Sequence, residues 1–178
     1  FTEILFSNKY HKRMKDKKSV VFLGYHSFPY GLAEVQKIIL ISKSLLLAGN
    51  EVTVIGKNGI HSKTERSELE VNGTFEGIDY VYVSGSCFRN DSFLKRRMFE
   101  IKGFLNTFSF LKKKKKENRL DYAILSTGSF SAILFYAILS KLYGFKTILN
   151  YVEYYSEIKK GRFEIGKRLN DWLFDKYA

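Results

Sequence analysis

The chain has 178 residues, 45% of them hydrophobic, which suits one domain with a packed core. A single cysteine, Cys87, excludes an internal disulfide, and the three histidines stand at no metal-ligand spacing, so a reducing compartment is expected and no metal. The net charge of +12 is concentrated: Lys9 to Lys18 holds six basic residues against Asp16, and Lys95 to Arg119 holds ten against Glu100 and Glu117.

Residues 1–18 read as a basic lead-in, and Phe1 to Phe6, interrupted by Glu3, is too short for a signal-peptide core. Val20 to Leu23 is a continuous apolar run, the mark of a strand covered on both faces. Leu32 to Ala48 places Val35, Ile38, Ile39, Ser42, Leu45 and Leu46 at helical spacing, Gly49-Asn50 stops that helix, and Glu51 to Ile55 returns as a second strand. Such a βαβ unit builds a parallel sheet that binds ligands beyond the carboxyl ends of its strands. The turn from His26 to Gly31 is therefore the first candidate for function. No G-x-G-x-x-G follows the first strand, which speaks against a dinucleotide oxidoreductase.

Residues 57–68 are polar and turn-like. A hairpin-like excursion around Asn72-Gly73 and Glu76-Gly77 leads to a third strand over residues 79–83. Residues 91–117 form a long helix with Leu94, Met98, Ile101, Leu105, Phe108 and Leu111 on one face. Its basic residues Lys95, Arg96, Arg97, Lys102, Lys112, Lys113, Lys114, Lys115 and Lys116 are candidates to face an anionic membrane, with Phe93, Phe99, Phe104 and Phe110 at the headgroup boundary. The bland alternative packs the apolar stripe on the sheet and leaves the lysines merely wet.

Residues 120–125 are a fourth strand, 129–143 a helix and 145–151 a fifth strand. The uncharged stretch from Tyr122 to Leu139 is broken by Ser126-Thr127-Gly128-Ser129, where a βα turn belongs, so it reads as strand, turn and buried helix rather than a membrane span. An acidic, aromatic turn containing Glu153 follows, then an amphipathic helix over 161–178. The expectation is an α/β domain over 19–178, Rossmann-like, with a doubly wound, mostly parallel sheet and helices on both faces.

Together, VVFLGYHSFPYG, the "AGNEVTV" at Ala48 to Val54, and DYAILSTGSFSAILFYAILSKLYGFKTILNYVEYYSE resemble the N-terminal domain of family 4 glycosyltransferases of the GT-B fold. The resemblance spans roughly residues 19–178. It implies acceptor binding in this domain, a nucleotide sugar as co-substrate with no further cofactor, and a second, donor-binding domain outside these residues. On that likeness Tyr30 and Gly31 match the loop beside the donor phosphates. His26, Ser126, Thr127, Gly128, Ser129 and Glu153 would hold the acceptor, with Glu153 the candidate catalytic carboxylate. Val152 stands where many members have histidine, and the usual double glycine of the first loop is missing. Plain structural roles stand beside these: a βα turn for Gly31, a helix cap for Ser129 and a solvated carboxylate for Glu153.

The implied partners are a glycan or lipid-linked acceptor and an anionic inner-membrane surface, in a cytoplasmic setting. The alternative is a non-catalytic Rossmann-like module that engages nucleic acid or anionic membrane through the basic helix. Against nucleic acid, the aromatic residues follow a packing stripe rather than a stacking platform.

Overall fold

The computed structural model describes residues 17–25, 27–64, 67–150 and 165–177. Along the chain these form β1 (Ser19–Tyr25), α1 (Ala33–Leu47), β2 (Glu51–Gly56), β3 (Asn72–Phe75), β4 (Ile78–Tyr82), α2 (Phe93–Lys116), β5 (Tyr122–Leu125), α3 (Phe130–Tyr143), β6 (Lys146–Leu149) and α4 (Ile165–Tyr177). One six-stranded sheet has the order β3-β4-β2-β1-β5-β6. All neighbours pair parallel except β3, which lies antiparallel to β4 at the edge. The chain is an α/β protein with a mostly parallel sheet.

The unbroken apolar run of β1 has a direct cause. Successive side chains point to opposite faces. Val20 and Phe22 join Val52, Val54 and the α1 residues Val35, Ile38 and Ile39 in one core. Val21 and Leu23 join Leu111 of α2 and Ala132, Tyr136 and Leu139 of α3 in the other. Helices cover both faces, so β1 has no solvent side on which to place polar residues.

The expected third strand arrives as a two-stranded unit. β3 and β4 turn back on each other at Glu76-Gly77, both with positive φ (51° and 82°). The stretch Tyr122 to Leu139 divides into β5, a turn and α3, and among the described residues no helix is long and apolar enough to cross a membrane. Cys87 is buried beneath the segment before β3, its thiol donating to the Leu69 carbonyl at 3.1 Å.

α2 buries only Leu111 of its predicted apolar stripe against the sheet. Gly103, Thr107 and Leu111 face the sheet, while Leu94, Met98, Ile101 and Leu105 are each more than 60% exposed. Close approach selects the small residues: a Cβ on Gly103 would already lie 3.1 Å from the Lys57 carbonyl oxygen. Phe104 turns in to stack edge-on against Phe135 of α3, and Phe110 packs on the core. Those two rings therefore do not line an outer boundary. Lys114 also departs from the outward set, since its Nζ donates to Thr53 Oγ1 at 3.1 Å and burial pulls its pKa below the usual lysine value.

Candidate functional site

The strand order changes direction at β1. From β1 the chain crosses over α1 to β2 on one side, and later, after α2, enters β5 on the other side of β1. The loops leaving β1 and β5 therefore diverge to opposite faces, and at the carboxyl edge between them open α/β sheets commonly form a ligand crevice.

Gly24 shapes this edge. Its φ of +97° coincides with the irregularity in the β1–β2 register between Leu23 and Tyr25. A Cβ there would sit 2.1 Å from the Ser126 carbonyl oxygen. The missing side chain lets the ends of β1 and β5 close on each other, and Ser126 N extends the ladder by donating to Leu23 O at 2.9 Å.

Four side chains from three segments meet beside that contact. Ser126 Oγ donates to Glu34 Oε1 in the first turn of α1 at 2.5 Å, and accepts a long 3.5 Å contact from Asn150 Nδ2 just past β6. Lys37, nearly one turn further along α1, donates from Nζ to Asn150 Oδ1 at 2.6 Å. Ser126 is buried whereas Glu34 and Lys37 are exposed, so the group has a buried floor and a charged, solvent-facing rim. Carboxylate, hydroxyl, amide and ammonium in one place supply both donors and acceptors, the complement of a polyhydroxylated ligand.

The rest of the turn after β5 is held firmly. Thr127 Oγ1 accepts from Ser129 N at 3.2 Å, and Ser129 Oγ caps α3 by accepting from Ala132 N at 3.4 Å. Asn170 of α4 donates from Nδ2 to Gly128 O at 2.8 Å and accepts from Phe130 N through Oδ1 at 3.0 Å, pinning α4 against the turn. Thr127, Gly128 and Ser129 are thus engaged in shaping the backbone, while Ser126 presents its hydroxyl to the cluster.

On the β1 side, Gly31 has a packing role: a Cβ would lie 2.4 Å from Val35 Cγ2. Tyr30 stacks edge-on against Phe75, and its carbonyl lies 2.7 Å from His61 Nε2, a contact that needs the proton on that nitrogen. Tyr82 Oη donates to Phe28 O, and burial raises the pKa of that phenol. α1 has no side-chain cap at its N-terminus, and Glu34 in its first turn already supplies the negative charge that end favours. An incoming phosphate at the same amides would meet that carboxylate. A cleft of about 360 Å³ opens on the hairpin side of the first loop, lined by Tyr30, Gly31, Gln36, Lys43, Phe75 and Glu76.

His26 and Glu153 lie outside the described residues. Three of the four cluster members, Glu34, Lys37 and Asn150, are absent from the expected set, as is Asn170, which holds the neighbouring turn. The signal available for Glu34 and Lys37 was their place in the first turns of the helix after β1, and for Asn150 its place near the carboxyl end of the fifth predicted strand.

The fold and site define an α/β protein with a polar side-chain cluster at the topological switch point of its sheet. Comparisons with protein-family models, curated proteins and solved structures return no match for this chain.

Proposed function

We propose that residues 19–178 act as the Rossmann-like, acceptor-binding domain of a GT-B glycosyltransferase of the family 4 type. In this reading a sugar moves from a nucleotide-sugar donor to a glycan or lipid-linked acceptor, with retention of configuration. The observation that carries it is the convergence of Glu34, Ser126, Asn150 and Lys37 at the switch point. A carboxylate and an amide aligned by a shared serine hydroxyl can accept from and donate to neighbouring sugar hydroxyls, which fixes an acceptor for attack. The charge balance at α1 favours a neutral acceptor over the donor phosphates at this spot, because Glu34 opposes an anion there. Donor contacts then belong mainly to a second domain, and Glu153 remains the candidate catalytic carboxylate.

The nucleic-acid alternative draws less support. Phe104 and Phe110 of α2 are turned inward, and its exposed rings, Phe93 and Phe108, lie about four turns apart, so the basic helix offers no continuous platform on which bases would stack.

The test uses the protein expressed from its complete reading frame, incubated with a panel of nucleotide sugars and glycan or lipid-linked acceptors. Transfer that falls in Ser126→Ala and Glu34→Gln, with a raised KM for acceptor and an unchanged KM for donor, supports the reading. Absence of transfer from every donor, in a reading frame with no second α/β domain carrying two glutamates seven residues apart, would overturn it.

A further inference from the structure

The outer surface of α2 and α3 combines two features that a surface in water alone does not require. At about 100° per residue, Leu94, Met98, Ile101, Leu105 and Phe108 fall within an arc of about 80° on α2, and the structure turns that arc to solvent. Their exposures run from 37% at Phe108 to 72% at Leu94. On α3, Leu134, Ile138 and Leu142 recur every fourth residue and are 52%, 57% and 63% exposed. The two rows lie in the same layer of the molecule. Phe104 and Phe135 meet at 5.3 Å between ring centroids, and Phe108 and Tyr143 at 5.7 Å, which joins the helices edge to edge. An apolar surface of two helices, open to solvent, is a contact surface.

Its charge selects the occupant. α2 carries nine basic residues and one acid, Glu100, which Arg97 engages at 2.7 Å. On the same helical projection Lys112 and Lys116 continue the apolar arc into the last turn, Arg97 and Lys115 border one side of it, and Lys95, Lys102 and Lys113 border the other. α3 adds Lys141 beside Leu142 and contributes no acid. Two copies meeting through this face by a twofold axis would bring the same cationic helices together, which disfavours self-association. An anionic sheet of lipid satisfies both the charge and the apolar row.

We propose that this two-helix face lies flat on an anionic phospholipid bilayer. The α2 and α3 apolar rows enter the boundary between headgroups and acyl chains, and the flanking lysines and arginines contact lipid phosphates. Lys114 takes no part, being turned towards Thr53. The inference is independent of sugar transfer, since none of the cluster residues belongs to the face.

The test is flotation of the purified chain with vesicles of phosphatidylcholine, with and without phosphatidylglycerol. Three proteins are compared: the parent chain, Leu105→Gln with Ile138→Gln, and a variant with Lys112, Lys113 and Lys116 changed to Gln. All the altered side chains are exposed, and circular dichroism checks that each variant is folded. The expected result is binding that needs phosphatidylglycerol, weakens with added salt, and falls on the order of tenfold or more in each variant. Binding indifferent to phosphatidylglycerol, or unchanged in the Leu105/Ile138 variant, overturns the proposal. So does absence of binding. If the chain instead self-associates and the Leu105/Ile138 variant is monomeric, the face is an interface between copies.

Discussion

Gly24 and Ser126 meet backbone to backbone, such that a Cβ on Gly24 would lie 2.1 Å from the Ser126 carbonyl oxygen. The same glycine holds a φ of +97°, which side-chain-bearing residues rarely adopt. Gly24→Ala therefore meets two obstacles at once, a backbone clash and a strained dihedral. We expect a loss of about 2–4 kcal/mol of stability, read by urea unfolding. A loss under about 0.5 kcal/mol, the range of an ordinary surface change, would mean that the β1–β5 edge is looser than described.

Ser126 and Glu34 carry the second prediction. Removing the hydroxyl in Ser126→Ala takes away a hydrogen bond whose carboxylate partner is exposed and regains water, so the stability cost is about 0.5–1.5 kcal/mol. Acceptor binding should suffer more than stability does. Titration of the protein with candidate glycans checks this, and equal binding by parent and variant would remove Ser126 from the site.

Lys57 sits beneath α2 with its Nζ 4.1 Å from the Phe104 ring centroid, and burial lowers its pKa while Glu100 opposes the shift. A lysine whose folded pKa lies below its unfolded value is penalised while charged. In the window between the two values the unfolded chain binds more protons, so stability rises with pH from the folded value up to the ordinary lysine value. Lys57→Met removes the penalty. It should gain on the order of 0.5–1 kcal/mol at neutral pH and flatten the alkaline rise, measured as Tm against pH. A Tm drop at neutral pH would assign more weight to the ring contact than to desolvation.

Glu51 shows the opposite sign. Hydrogen bonds from Lys17 at 2.9 Å and Arg119 at 2.9 Å hold its pKa below the ordinary carboxylate value, against a smaller cost of burial. The stability from this pair of contacts is present above the unfolded carboxylate pKa and is lost as pH falls through the lowered folded value. Because the partners are largely solvent-exposed, Glu51→Gln should cost about 0.2–1 kcal/mol near neutral pH at low salt and shrink as salt is added. A cost that persists unchanged in high salt would point to packing rather than charge.

Most of the strand and helix plan was legible, because the two-faced burial of β1 and the helical spacing of Val35, Ile38, Ile39 and Ser42 are written into consecutive residues. Gly144 and Ser129 likewise announce the ends of α3, one by adopting a left-handed conformation and the other by accepting a backbone N–H. α2 was legible as a helix but not in its orientation. Amphipathic spacing identifies an apolar face, yet whether that face meets the sheet depends on how closely the helix must approach. Gly103 and Thr107 allow the nearer approach.

The amino-acid sequence alone determined an α/β chain with a concentrated basic helix and candidate loops after its first and fourth predicted strands. Local periodicity and turn chemistry act between near neighbours, and both can be read directly. The tertiary structure decided the polar cluster, because Glu34 and Ser126 are 92 residues apart and Lys37 and Asn150 are 113 apart. Only the order in which the strands line up, with β5 and β6 on the side of β1 opposite to β2, brings those side chains within hydrogen-bonding reach.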